Sequence, residues 1–90
     1  MSATLTVRHT VADYATWRVV YDNAETIRAK HGCTGDQVFR LPANANDVFA
    51  THDFPTVSQA EAFAGDPALA AAMQRGGVTS APRIEIFERV

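Results

Sequence analysis

Two histidines stand where strands could present them to a cavity. His9 ends an alternating segment in which Leu5, Val7 and His9 share one face, and His52 shares a face with Ala50 in a second such segment. An unperturbed imidazole titrates near pH 6.5, so it can exchange protons at working pH. We take His9 and His52 as candidate catalytic residues. The alternative is that each is a structural histidine whose ring nitrogens are satisfied locally.

The expected spacing of the two histidines argues against a metal centre. If their strands pair antiparallel, His9 lies opposite Val48 and His52 lies opposite Leu5. The histidines are then offset by four residues, roughly 13 Å along the sheet. One metal ion needs its histidine nitrogens about 2 Å away. Cys33 is the only cysteine, which excludes paired thiolate ligands. We expect no metal site and no cofactor.

Aromatic side chains supply candidate walls for a cavity. Tyr14, Trp17 and Tyr21 recur at spacings of three and four, which places them on one helix face. Phe63 and Met73 lie on the apolar side of a later helix. Such stripes are usually core. If a cavity lies between helix and sheet, however, these five residues are the substrate-binding candidates, because small-molecule pockets are mostly apolar with a few polar groups.

The elements that must position these residues follow from periodicity and capping signals. Alternation predicts strands at 4–9, 37–41, 47–54 and 83–89, with a turn at 42–46; the start of the second strand is open between Cys33 and Gln37. Amphipathic spacing predicts helices at 14–31 and 57–75, the second interrupted at Gly65. Asp13 and Thr56 are N-cap candidates, and Gly32 is placed to end the first helix in the left-handed conformation.

The resulting order is βαββαβ, which predicts an α+β, ferredoxin-like fold. Its two crossovers interlock into a four-stranded antiparallel sheet of order 4-1-3-2, with the helices on one face. Ninety residues make one domain, 1–90.

The other face of this sheet suggests a second copy of the chain. It carries two phenylalanines, Phe49 and Phe87, among polar residues. Packing two such faces together removes the rings from water, each worth roughly 1.5–3 kcal/mol. We therefore expect a homodimer that closes into an α+β barrel. The alternative is a monomer with exposed aromatics.

The composition of the chain argues against nucleic acid and membrane as partners. The chain is 47% hydrophobic and 20% charged, with a net charge of −2 and no basic stripe, which argues against nucleic-acid binding. No segment has the length of a membrane span or the pattern of a signal peptide. We expect a cytoplasmic protein without membrane association.

Two segments resemble a known superfamily. "RHTVADYATWRVVYD", from Arg8 to Asp22, and "FPTVSQAEAFAGDPALAAAMQRGGV", from Phe54 to Val78, resemble small bacterial proteins of the dimeric α+β barrel superfamily. That superfamily includes cofactor-independent monooxygenases of antibiotic biosynthesis, polyketide cyclases, small isomerases, haem-degrading enzymes and stress-induced proteins. The helix at 57–75 contains no histidine, so the haem-degrading branch is a poor match.

Two functional hypotheses follow from the residues and the resemblance together. The first is a cofactor-independent monooxygenase, cyclase or isomerase that acts on an apolar or aromatic small molecule by proton transfer. The second is a non-catalytic dimer that binds a ligand or takes part in a stress response. The sequence names neither a substrate nor a pathway, because this fold hosts many activities.

Overall fold

The computed structural model describes residues 2–90 and has the predicted βαββαβ order, with each helical connection divided in two. The strands are β1 (Ala3–Thr10), β2 (Gly35–Leu41), β3 (Asn44–Phe54) and β4 (Arg83–Glu88). The helices are α1 (Tyr14–Asn23), α2 (Glu25–Lys30), α3 (Val57–Ala64) and α4 (Pro67–Arg75). None of the helices between residues 2 and 90 is long and apolar enough to cross a membrane.

The four strands form one antiparallel sheet in the predicted order, β2-β3-β1-β4. Its register is also the predicted one, because His9 pairs with Val48 and Leu5 pairs with His52. The hairpin between β2 and β3 is tighter than expected. Leu41 pairs with Asn44 across a two-residue loop, and the register shifts at Arg40 and Leu41. The expected five-residue turn is therefore wrong, and β3 begins three residues earlier.

The first helical segment is not continuous, which corrects the prediction of one helix at 14–31. It breaks at Ala24, whose amide is shared between the carbonyls of Val20 and Tyr21, at 3.1 Å each. The Tyr21 carbonyl also accepts a hydrogen bond from the Arg28 side chain at 2.9 Å. A carbonyl used in this way tightens the turn and redirects the chain. The second segment ends at Gly32, which has the expected positive φ of 77°.

In the second helical connection, capping residues set the positions at which the two helices begin. Thr56 accepts a hydrogen bond from the Gln59 amide at 3.2 Å and begins α3. Asp66 accepts from the Ala68 amide at 2.9 Å and begins α4 with Pro67 as its first residue. The interruption at Gly65 and the restart at Asp66 are thus confirmed.

The helices cover one face of the sheet and leave the other exposed. Leu5, Val7, Phe54 and Phe63 form the main core between helices and strands. On the opposite face, Phe39, Phe49 and Phe87 are 50%, 37% and 55% exposed. Phe39 was not among the residues predicted for this face. It faces Phe49 across the β2–β3 pair, with ring centroids 6.1 Å apart.

Candidate active site

A narrow cavity lies between the helices and the covered face of the sheet. Its cavity volume is about 50 Å³, and one side is open to solvent. Its lining is mostly apolar and consists of Val7, His9, Trp17, Val20, Tyr21, Ala24, Ile27, Arg28, Ala50, His52, Phe63, Leu69, Ala72 and Met73. Both candidate catalytic histidines and four of the five candidate wall residues are thereby brought together.

Tyr14 is the predicted wall residue that the structure places outside this lining. It begins α1, and its amide donates to Asn46 Oδ1 at 2.9 Å. The Arg40 guanidinium covers the Tyr14 ring at 4.5 Å, and the ring packs on Trp17. Tyr14 therefore supports the outer side of Trp17 next to the β2–β3 hairpin.

His9 lies at one end of the cavity floor. The ring is 5% exposed and meets Trp17 edge-on, with centroids 5.8 Å apart. Burial lowers the pKa of His9, because the surrounding apolar groups disfavour the charged imidazolium. Its Nδ1 is enclosed without a hydrogen-bond partner in the described part of the chain. Orphaned buried polar atoms are rare in folded proteins and often have a functional role.

His52 lies at the other end of the floor and is 4% exposed. Burial, with a smaller contribution from the positive charge of Arg28, lowers the pKa of His52 to about 4. The ring is therefore neutral at pH 7. Its Nδ1 is also enclosed without a partner among residues 2–90, while Nε2 lies 3.4 Å from the Tyr21 hydroxyl.

The Tyr21 hydroxyl links His52 to the carboxylate of Asp36. Tyr21 donates to Asp36 Oδ2 at 2.5 Å, so its oxygen can only accept from the imidazole. A hydrogen bond at this contact requires the tautomer of His52 that carries its proton on Nε2. Burial and the Asp36 carboxylate raise the pKa of Tyr21 well above its usual value, which keeps the phenol protonated.

Asp36 is a site residue that the sequence reasoning missed. It is solvent-exposed and pairs with His52 across β2 and β3. Of the two starts left open for β2, Gln37 excludes Asp36 and Cys33 includes it, and the strand begins at Gly35. An earlier start of that strand would have placed the carboxylate beside His52.

Arg28 is the second missed residue. Its side chain is only 8% exposed, and its guanidinium lies over the Tyr21 ring at 4.3 Å. None of the ion pairs between residues 2 and 90 involves Arg28. A signal was available, since Tyr21 and Arg28 are seven residues apart, two turns along a helical stripe.

An aromatic row connects the two histidines across the cavity. Trp17 and Tyr21 stack with centroids 4.9 Å apart, and Tyr21 lies 6.0 Å from the His52 ring. Phe63 continues the row beyond His52 at 5.1 Å. The rings are tilted against one another and form an aromatic wall with an imidazole at each end. Within residues 2–90, no three histidine, cysteine or acidic side chains are grouped so that they could hold a metal ion.

The chain matches no protein family profile and no curated protein sequence. Among solved structures, it is similar to SnoaB, a cofactor-independent oxygenase from Streptomyces nogalater, with a TM-score of 0.80 and 14% identity over 99% of this chain and 93% of that chain. A candidate antibiotic biosynthesis monooxygenase from Bordetella bronchiseptica gives a TM-score of 0.82 at 14% identity over 99% and 97% of the two chains.

A similar candidate from Caulobacter crescentus gives a TM-score of 0.77 at 20% identity, over 99% of this chain and 90% of that chain. Sequence identities this low relate the proteins by fold alone. The resemblance seen in the motifs is thus confirmed at that level: the chain has the ferredoxin-like α+β fold of the antibiotic biosynthesis monooxygenase-like proteins.

Proposed function

We propose that this protein is a cofactor-independent enzyme that acts by proton transfer on a planar, largely apolar small molecule. Oxygenation, cyclisation and isomerisation all fit, because each begins with loss of a proton from an activated substrate. The observation that carries the proposal is a pair of buried imidazoles with lowered pKa values on the floor of one aromatic-walled cavity. SnoaB, which shares the fold, is itself a cofactor-independent oxygenase.

His9 is the proposed proton acceptor. Neither of its nitrogens has a hydrogen-bond partner among residues 2–90, and only Nδ1 is enclosed. Nε2 is therefore the nitrogen that a substrate can approach. Burial lowers the pKa of His9 and so favours the neutral ring, in which one nitrogen carries a proton and the other can accept one. Deprotonation would leave a carbanion or phenolate in the cavity.

His52 has a different proposed role, because its Nε2 already contacts Tyr21. The groups Asp36, Tyr21 and His52 form a chain that leads from exposed solvent to the cavity floor. We assign it the exchange of a proton between His52 and solvent. Tyr21 is the shared member, and its raised pKa makes it a hydrogen-bond bridge rather than a resident anion.

The proposed wall residues orient the planar substrate and exclude water from it. Trp17 and Tyr21 provide one aromatic surface, and Phe63 and Met73 close the cavity from α3 and α4. Ring faces favour stacking with planar ligands, while a methionine side chain adapts to irregular outlines. Excluding water strengthens each polar interaction with the developing charge.

We propose a homodimer built on the uncovered sheet face, closing the two sheets into a barrel. The exposed rings Phe39, Phe49 and Phe87 support it, because a solvated sheet face seldom carries three. Sedimentation velocity should give the mass of two chains for the wild type and one for Phe49→Glu/Phe87→Glu. Val19→Glu, an exposed apolar site on α1, should stay dimeric. A wild type that sediments as one chain would refute this interface.

Activity is tested with a panel of aromatic quinols under air. Dioxygen consumption and product absorbance are measured for the wild type, His9→Gln, His52→Gln and His31→Gln. His31 is the matched control, because it pairs with Asp66 outside the cavity lining. We expect turnover in the wild type and His31→Gln and a loss of about 100-fold in His9→Gln. Ligand binding without any turnover would favour the non-catalytic alternative, and unchanged turnover in both cavity variants would remove the proposed bases.

A further inference from the structure

The cavity contains one permanent charge, and nothing in the described structure neutralises it. Arg28 is the only lining residue that is charged whatever the pH, since burial keeps His52 neutral at pH 7. Its Nη1 donates to the Tyr21 carbonyl at 2.9 Å. A guanidinium has five N–H donors, and this is the one hydrogen bond that it makes within residues 2–90.

The carboxylate that faces the same end of the cavity does not pair with Arg28. Asp36 accepts the hydroxyl proton of Tyr21, and no ion pair joins it to Arg28. Removing a guanidinium from water without a counter-charge is strongly unfavourable. Arg28 as a whole residue is nevertheless only 8% exposed, although its Nε and Nη2 are not among the fully enclosed atoms without a partner. Its stacking on Tyr21 compensates only in part, because a cation–π contact is weaker than an ion pair with hydrogen bonds.

We propose that Arg28 is the anion-binding residue of this cavity and that the substrate is a planar apolar molecule bearing an acidic oxygen group, a carboxylate in the simplest case. This inference rests on the proposed function and adds the substrate class to it. The planar fork of a guanidinium matches the two oxygens of a carboxylate, which the apolar lining alone could not hold.

The position of Arg28 also gives the substrate a direction. Arg28 lies against Tyr21 at the His52 end, whereas His9 lies beyond Trp17 at the other end. A ligand whose acidic group binds Arg28 therefore lies along Trp17 and presents its far end to His9 Nε2. Arg28 is a binding and orienting residue in this arrangement, and His9 receives the proton.

The test compares two probes of the same shape, 2-naphthoate and the neutral 2-naphthamide. Calorimetric titration should show that the wild type binds the carboxylate at least about tenfold more tightly. Arg28→Met should abolish that preference and change amide binding by less than about threefold. Arg18→Met is the matched control: Arg18 also lies over the Tyr21 ring, at 5.4 Å, but it is outside the lining and pairs with Asp22.

A direct readout remains available if Arg28→Met does not fold. In the wild type, the Nε–H resonance of Arg28 should shift on addition of 2-naphthoate and stay in place with 2-naphthamide. Arg28→Lys, which keeps the charge but not the fork, should retain part of the preference. Equal binding of both probes by the wild type, or a preference that survives Arg28→Met, would overturn the role of Arg28 and leave the proposed function standing. Failure of both probes to bind the wild type would overturn the small-molecule cavity together with this inference.

Discussion

Burial of His52 predicts that the protein loses stability as the pH falls from neutral. In the folded state burial lowers the pKa of His52 to about 4, whereas an unfolded histidine titrates at the reference value of 6.5. Between these two values the unfolded chain binds a proton that the folded chain does not. Acidification therefore favours unfolding in this window, and the contribution of His52 is fully present only above the unfolded pKa.

The size of the effect follows from the difference between the two pKa values. Each unit corresponds to about 1.4 kcal/mol, so His52 alone should lower the free energy of unfolding by about 2 to 3 kcal/mol between pH 7.5 and pH 4.5. The lowered pKa of His9 adds a contribution of the same sign. Asp66 acts in a separate pH range. Its pKa is lowered from 3.8 to about 2, chiefly because His31 donates a hydrogen bond to it. The contribution of Asp66 to stability is therefore lost below about pH 4.

Urea unfolding at pH 7.5, 6.5, 5.5 and 4.5, at one protein concentration, measures this loss. His52→Gln should have a lower free energy of unfolding than the wild type at pH 7.5, but this free energy should change much less with pH. The double variant His9→Gln/His52→Gln should be flatter still.

A proton NMR titration of the His52 ring tests the same reasoning without unfolding the protein. Its midpoint should lie well below the reference value and near the folded pKa of about 4. A midpoint near 6.5, together with an unchanged pH dependence in His52→Gln, would show that the imidazole is solvated. The assignment of a neutral ring at pH 7 would then be wrong.

Three further substitutions test other parts of the structure. Tyr21→Phe keeps the ring but removes the bridge between Asp36 and His52, so kcat should fall at least about tenfold with little change in ligand affinity; equal kcat would exclude the proton relay. Gly76→Ala places a Cβ 3.0 Å from Trp17 Cδ1 and should shift the Trp17 emission, whereas Gly65→Ala, which meets only the Glu61 carbonyl at 3.5 Å, should not. Thr56→Ala should lower the free energy of unfolding by about 1 kcal/mol because α3 loses its N-cap, and Thr56→Ser should restore it.

Local periodicity was sufficient to predict the order of the strands in the sheet and the sheet face on which the two histidines lie. Alternation fixes which face a strand residue occupies, and antiparallel pairing then fixes its neighbours, so the pairing of His52 with Leu5 followed directly. The helix break at Ala24 could not be predicted in the same way. No glycine or proline marks it, and the Arg28–Tyr21 hydrogen bond beside it is tertiary.

The missed residues show why charged members of a site are harder to find than apolar ones. Sequence patterns assign a charged residue to the solvent side by default, because an isolated buried charge is unfavourable. Arg28 is an exception: its spacing from Tyr21 places it on the apolar stripe, but its charge assigned it to solvent, and only the structure shows that it is buried without an ion pair. Asp36 lies in the stretch where the start of β2 was left open, because sequence patterns define the ends of a strand less well than its middle.

The polar groups of the cavity also give a physical reason for the chain to form the proposed dimer. Two orphaned imidazole nitrogens and an unpaired guanidinium weaken a core that, in ninety residues, is already small. Burying Phe39, Phe49 and Phe87 against a second copy would offset that loss on the side of the sheet remote from the cavity. A ligand with an acidic group would offset the remaining loss of stability by neutralising Arg28. Both effects predict that the chain is most stable when it is dimeric and liganded, and that a Phe49→Glu/Phe87→Glu monomer should gain more stability from 2-naphthoate than from 2-naphthamide.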